Sequence, residues 1–479
     1  MVTRTVLSLT SVVLALLLAC VVSLVLVGKP AEAAFPGNNG KIAFVSNRDV
    51  GAGEIYTISP TGGTADRINF TNYSKHPAWS PDGSRIAFVS TDNQIFVMKA
   101  DGSGRRQITN TPTAKQEPAW SPDGTRIAYV ANSFDVDQQT DLEIWVINAD
   151  GSGRTQVTNN SFPDTQPAWS PDGSKIAFVS SRTGDTNRNV YVMNSDGSGA
   201  AANLTPNTAD PLYQGNDDGP SWSPDGSQIA YSNGISDSDV WTMNANGSGK
   251  TNLTDANTGE DVEPAWFPDG NKIAYVATSG DTDRNIYVMN ANGSGQGPIN
   301  TNTSNDITPD WQPIPQCTNT NATTGNDTIT GTAGNDVLCG LGGNDTINGV
   351  GGNDIILAGA GNDRLTGALG NDTLNGGPGT GDMALYAGST RVIANLTTEF
   401  AKGGAAAGMD VLLDIEDLSG SSVKDTLTGS PSTANLLKGL GGNDVLNVRD
   451  GAGNDEADGG TGTDDTCRKD AGDTVIRCE

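Results

Sequence analysis

The 479-residue chain has a single histidine, His76, and that scarcity removes whole classes of chemistry. A two-histidine metal centre cannot be built. A Ser-His-Asp arrangement would have only His76 to draw on, and no G-x-S-x-G elbow occurs. Basic residues are short as well: 28 Lys and Arg stand against 56 Asp and Glu, for a formal net charge of −28. A chain this acidic repels phosphate backbones and anionic lipid, which excludes nucleic acid and makes cations its natural small partners. Beyond the first 34 residues no long apolar run has helical period, so the mature chain reads as nearly all β.

The first 33 residues read as a signal peptide. Arg4 supplies the positive start, Val6 to Val27 is apolar with few interruptions, and "AEA" places cleavage after Ala33. The mature chain then has no membrane span. The run is long enough to cross a bilayer, so an uncleaved anchor is the alternative. Either way the protein is expected to be secreted, extracellular or held at the cell surface. Four of the five cysteines remain after cleavage, and an even number in an exported chain suggests disulfides. Proximity favours Cys317–Cys339 and Cys467–Cys478, each contributing about 3 kcal/mol on the loop-entropy account.

What is abundant is repetition. "HPAWSPDGSRIAFVS" from His76 returns as "EPAWSPDGTRIAYVA" from Glu117 and "QPAWSPDGSKIAFVS" from Gln166, then twice more from Gly219 and Glu263. "PAW" reads as a strand, "SPDG" as a turn and "RIAFVS" as a second strand; a loop, a third strand such as "VYVMN", an "ADGSG" hairpin and a fourth strand follow. Four strands per 40 to 50 residues is the period of a propeller blade. Six "IA[FY]" strands match six tryptophans ending at Trp311. The first blade lacks a "PAW" strand and "TPDWQP" at Thr308 lacks a successor, so the ends should complete one blade together. The repeat resembles the TolB-like propeller, over residues 36–315. That resemblance implies a six-bladed fold and little about function; the Tol-Pal role is not carried over, because no α/β domain precedes the repeats. The repeated tryptophans are read as core, the SPDG aspartates as turn-makers, and His76 as structural.

A second repeat starts at Ala322. Six nonapeptides run to Asn375, each with Gly at four, Asn at five, Asp at six and Ile or Leu at eight. A three-residue strand points only the eighth side chain inward, which is too little core to hold glycine-rich turns. With two nonapeptides per coil, residues 18 apart stack at about 4.8 Å. Asp327, Asp345 and Asp363 then line one edge, and Asp336, Asp354 and Asp372 the other. Such carboxylates repel by roughly 1–3 kcal/mol per pair. Ca2+, which takes oxygens at about 2.4 Å, bridges that spacing, whereas Mg2+ wants shorter bonds. The pattern closely resembles the haemolysin-type, or RTX, calcium-binding repeat, which implies a parallel β-roll with calcium-binding turns.

After Asn375 the register slips, with Asp382 one place late. Residues 316–384 form the first repeat block, 385–419 a strand-rich insert, and 420–479 a second block. That second block holds a decayed repeat at Asp425 and further expected calcium ligands at Asp444, Asp455 and Asp464. Cys467 is expected in an inward position, with its disulfide to Cys478 closing one end of the coil and Cys317–Cys339 closing the other.

The expectation is an all-β, secreted, non-catalytic calcium-binding protein. A six-bladed propeller would act as a platform for a protein or glycan partner, stabilised by a C-terminal parallel β-roll. The alternative is an extracellular hydrolase working through the propeller channel with paired carboxylates. A third reading is an adhesion or matrix protein.

Overall fold

The computed structural model describes residues 37–478 apart from 50–52, 70–72, 133–140, 183–186, 207–214, 235–236, 256, 258, 279–282, 301–303, 320, 389, 404–407, 432 and 452–453. The expected signal peptide and its cleavage point after Ala33 lie outside the described residues. All regular structure among the described residues is β.

Six four-stranded antiparallel sheets form the propeller. Each inner strand carries a repeated tryptophan, as in Lys115–Trp120, and pairs with an "IA[FY]" strand such as Arg126–Asn132. The "SPDG" turn between them has Asp123 Oδ1 accepting the Thr125 N–H at 3.1 Å and Gly124 at φ 67°, the conformation that calls for glycine. The tryptophans join blade to blade. Nε1 of Trp120, Trp169 and Trp222 donates to the carbonyls of Ala78, Ala119 and Ala168 in the preceding blade, at 3.1 to 3.2 Å. The ring closes as the repeat count requires. Strand Asp306–Pro315 takes the innermost place beside Gly37–Ser46, with Trp311 opposite Ile42. This pairing covers the two edges an open stack would leave.

The remainder is one continuous solenoid with two parallel faces. Three-residue strands pair 18 apart, Ile329 with Ile347 with Leu365 on one sheet and Leu338 with Ile356 with Leu374 on the other. Their side chains fill a narrow core. The two repeat blocks are not separate bodies. One sheet runs unbroken through eight parallel strands from Thr328–Thr330 to Thr474–Ile476. The insert enters only the other sheet. There Met409–Leu413 continues the parallel stack on Thr373–Asn375, Phe400–Lys402 runs antiparallel to it, and Ile393–Asn395 restores the direction for Thr426–Thr428. Cys317 pairs with Cys339 and Cys467 with Cys478, each with Cα atoms 5.7 Å apart.

Candidate metal ladder and propeller channel

The glycine-rich turns bring the nonapeptide aspartates into two columns. Each carboxylate accepts, through Oδ1, the backbone N–H of the aspartate one coil earlier. Asp345 takes Asp327 at 2.8 Å, Asp363 takes Asp345 at 2.7 Å and Asp382 takes Asp363 at 2.7 Å. The other column links Asp336 to Asp354 and Asp354 to Asp372, both at 2.9 Å. A second ladder runs beside it in the opposite sense. The N–H of Asn344, Asn353, Asn362 and Asn371 donates to the side-chain oxygen of the asparagine one coil before, at 2.8 to 3.0 Å. Sequence reasoning missed this use of the fifth position, although Asn recurs at that place in all six nonapeptides.

The second carboxylate oxygen separates the expected ligands into groups. Oδ2 of Asp345, Asp354, Asp363, Asp372, Asp444 and Asp455 is buried with no hydrogen-bond partner. Leaving a carboxylate oxygen in that state costs free energy unless a cation or proton meets it. At Asp327 and Asp336 the same oxygen is already taken by the backbone N–H and hydroxyl of Thr323 and Thr332. These two threonines occupy the second position of their nonapeptides, so the first coil satisfies itself. Asp464 is exposed and lies outside the ladder; Asp465 is buried and accepts the Asp444 N–H at 2.8 Å. The spacing from Asp444 is 21 rather than 18, and pairing of Cys467 with Leu446 draws the ladder one residue on. Asp382, Asp410, Glu416, Asp425 and Asp473 also hold ladder positions that were not assigned from the spacing.

The arrangement fits a calcium ion on its own geometry. A Cβ on Gly340, Gly349 or Gly367 would lie 2.0 to 2.2 Å from Oδ2 of the aspartate five residues later, so at Asp345, Asp354 and Asp372 the orphan oxygen sits in a cradle only glycine leaves open; ahead of Asp363 that place is held by Ala358. Burial pushes the carboxyls of Asp354 and Asp382 up to about 7 and those of Asp372 and Asp444 to about 6. At Asp354, Asp372 and Asp336 push the same way. Each value is the cost of holding a charge there without a counter-ion. Among the described residues no three His, Cys, Asp or Glu side chains converge into a metal cluster. A site here must combine one or two carboxylates with backbone carbonyls, which suits an oxygen-seeking ion and not zinc.

The propeller has its own candidate site, a central cavity of about 330 Å3. Six equivalent residues ring it, one per blade: His76, Glu117, Gln166, Gly219, Glu263 and Thr308. Each sits at a bulge with φ between 49° and 60°. Three clasp the next blade. Glu117, Gln166 and Glu263 accept the backbone N–H of Gln166, Gly219 and Thr308, at 2.6 to 2.8 Å. Burial lifts the Glu117 carboxyl to about 7 and lowers the His76 imidazole to about 4, which leaves His76 neutral. His76 Nδ1 and Thr308 Oγ1 are buried and have no hydrogen-bond partner.

The family model of the TolB beta propeller domain matches residues 76–217 and 209–326, and that of the RTX calcium-binding nonapeptide repeat, in four copies, matches 321–347 and 348–382. Among solved structures the chain is similar to TolB from Acinetobacter baumannii, at 22% identity and TM-score 0.50, covering 62% of this chain and 71% of that one. It is also similar to a putative TolB from Agrobacterium tumefaciens, at 21% identity and TM-score 0.45, covering 58% and 92%. A third similarity is to hydrazine synthase of Kuenenia stuttgartiensis, at 16% and TM-score 0.50, covering 60% and 50%. At such identities the likeness speaks for the fold alone. No curated protein matches the chain.

Proposed function

The chain belongs to the TolB beta propeller domain family and carries RTX calcium-binding repeats, and from that premise we propose a secreted, non-catalytic protein whose β-roll takes Ca2+ between successive coils and whose propeller offers a platform to a protein or glycan partner. The observation that carries the calcium part is the two columns of buried, unpartnered Oδ2 atoms at Asp345, Asp354, Asp363 and Asp372, three of them, all but Asp363, in a glycine cradle. Backbone carbonyls of the turns would supply the remaining oxygens. Bound calcium supplies the positive charge that lets these carboxylates stay ionised, and its binding free energy becomes folding free energy of the roll. Export accords with two disulfides and with an ion at millimolar level outside cells.

Titration calorimetry on the chelator-treated chain tests this. Uptake of several Ca2+ per chain is expected, weakened by Asp354→Asn and untouched by Asp464→Asn. Absence of heat at millimolar Ca2+ would sink the proposal.

One observation favours the hydrolase reading: Glu117, held near 7, faces the same cavity as Glu263. A carboxyl in that range is poised as a general acid. A glycoside and ester panel decides it. Turnover abolished by Glu117→Gln would establish the enzyme, and no turnover on any substrate leaves the binding platform.

A further inference from the structure

Strand Met409–Leu413 belongs to the insert, outside both family matches, yet it touches both the roll and the propeller. Asp410 stands in the aspartate column. Its Oδ1 accepts the N–H of Asp372 at 3.1 Å, across 38 residues instead of the usual 18. Leu412 points into the core of the roll. Val411 and Leu413, on the opposite side of the same strand, pack with Phe400 against Val97, Trp120 and Tyr129 of the propeller. Around this patch the Arg85 and Arg106 guanidiniums lie 5.8 and 5.7 Å from the Phe400 ring centre. Lys99 pairs with Asp414 at 3.1 Å, Arg85 with Glu399 at 3.8 Å, and Asn371 donates to Asp123 Oδ2 at 2.9 Å.

We infer that Asp410 is a further calcium ligand, and that calcium at the Asp372–Asp410 step docks the roll onto the second and third blades, so that the calcium state of the roll sets the stability of the propeller. The inference rests on the calcium reading above. Asp372 Oδ2 is a buried orphan and Asp410 is itself buried, so without a cation two carboxylates face each other where the docking strand joins the stack. Their repulsion acts on the register of Met409–Leu413 against Thr373–Asn375. A strand that leaves that register takes Val411 and Leu413 off the blades. Linkage then works in both directions: calcium favours docking, and docking raises calcium affinity by the same factor.

The experiment uses the full chain and two signals. All eight tryptophans lie in the propeller, between Trp79 and Trp311, and the roll has none. Trp120 is in the docking patch, with Arg85 5.1 Å from its ring. Calcium is titrated into chelated protein while circular dichroism follows the roll and tryptophan emission follows the propeller. Both should move at one calcium concentration. Phe400→Ala, which leaves every carboxylate in place, should abolish the emission change and raise the calcium midpoint of the roll about fivefold or more. Lys99→Glu, a surface change, should shift both signals in the same sense and guards against misfolding of the first variant. Asp410→Asn should uncouple emission while coils before Asp372 still order. A dichroic transition without any change in emission overturns the docking and leaves the calcium ladder standing, as does a wild-type midpoint in Phe400→Ala. Absence of both signals overturns the ladder itself.

Discussion

Gly349, at the first position of its nonapeptide, is required for space, not for backbone freedom. A Cβ on Gly349 would stand 2.0 Å from Asp354 Oδ2, whereas one on Gly325 meets nothing nearer than Thr323 Oγ1 at 3.7 Å. Gly349→Ala should therefore push the carboxylate out of its cradle and cost about 1–3 kcal/mol of calcium-dependent stability, as overpacking does. Gly325→Ala, in the same family of turns, should be near neutral. Calcium-dependent melting of the two variants reads the difference, and equal losses would refute the cradle. Glu117 makes a second case at this scale. Burial raises its folded pKa to about 7 from an ordinary 4.5. The folded state then binds the proton more tightly than the unfolded one, so this residue's contribution is complete below about pH 4.5 and is lost as pH rises through about 7. Propeller melting should fall between pH 5 and pH 8 by on the order of 1–3 kcal/mol, and Glu117→Gln should flatten that slope. An unchanged slope in the variant would assign the pH dependence to other groups.

At the scale of the element, closure by strand Asp306–Pro315 concentrates stability at the seam. Trp311 is 3% exposed, lies opposite Ile42 and packs against Phe267 with ring centres 3.5 Å apart and the planes tilted by 45°. Trp311→Ala should cost about 3–5 kcal/mol and speed amide exchange in Gly37–Ser46 before that in the middle blades. Uniform acceleration around the ring would mean that the seam is no weaker than other junctions. This closure was legible in the sequence, because the count of "IA[FY]" strands and tryptophans left one blade to be shared between the ends. The coil was legible for the same reason: an apolar residue every ninth place fixes strand length, face and stacking at once. Where period fails, legibility fails with it. Asp464 and Asp465 are adjacent and equal in type, and only pairing of Cys467 with Leu446 decides which one enters the column. Met409–Leu413 reads as an ordinary apolar strand, and nothing local tells that its two faces serve different domains. The left-handed ring from His76 to Thr308 was hidden too, since Glu, Gln and Thr carry no signature of positive φ.

At the scale of the whole molecule, the charge of −28 poses a question that the ladder answers. Self-repulsion of this size weakens any compact state, and simple salt relieves it by screening over about 8–10 Å. The ladder carboxylates are closer than that: they stack at the sheet spacing of about 4.8 Å and are largely shut off from solvent. Screening by mobile ions therefore leaves their repulsion almost intact, and only an ion seated between them removes it. Two effects of added electrolyte should then separate. Sodium chloride should raise the melting temperature of the calcium-free chain modestly and smoothly, as a charge effect spread over the surface. Calcium chloride at equal ionic strength should produce a much larger rise that saturates, because it fills a finite set of sites. Magnesium chloride should follow sodium more than calcium, since its shorter bonds and stricter octahedron fit the coil spacing poorly. Scanning calorimetry in the three salts makes the comparison in one series. Coincident curves for calcium and magnesium would assign the acidity to surface charge alone, with no seated ion.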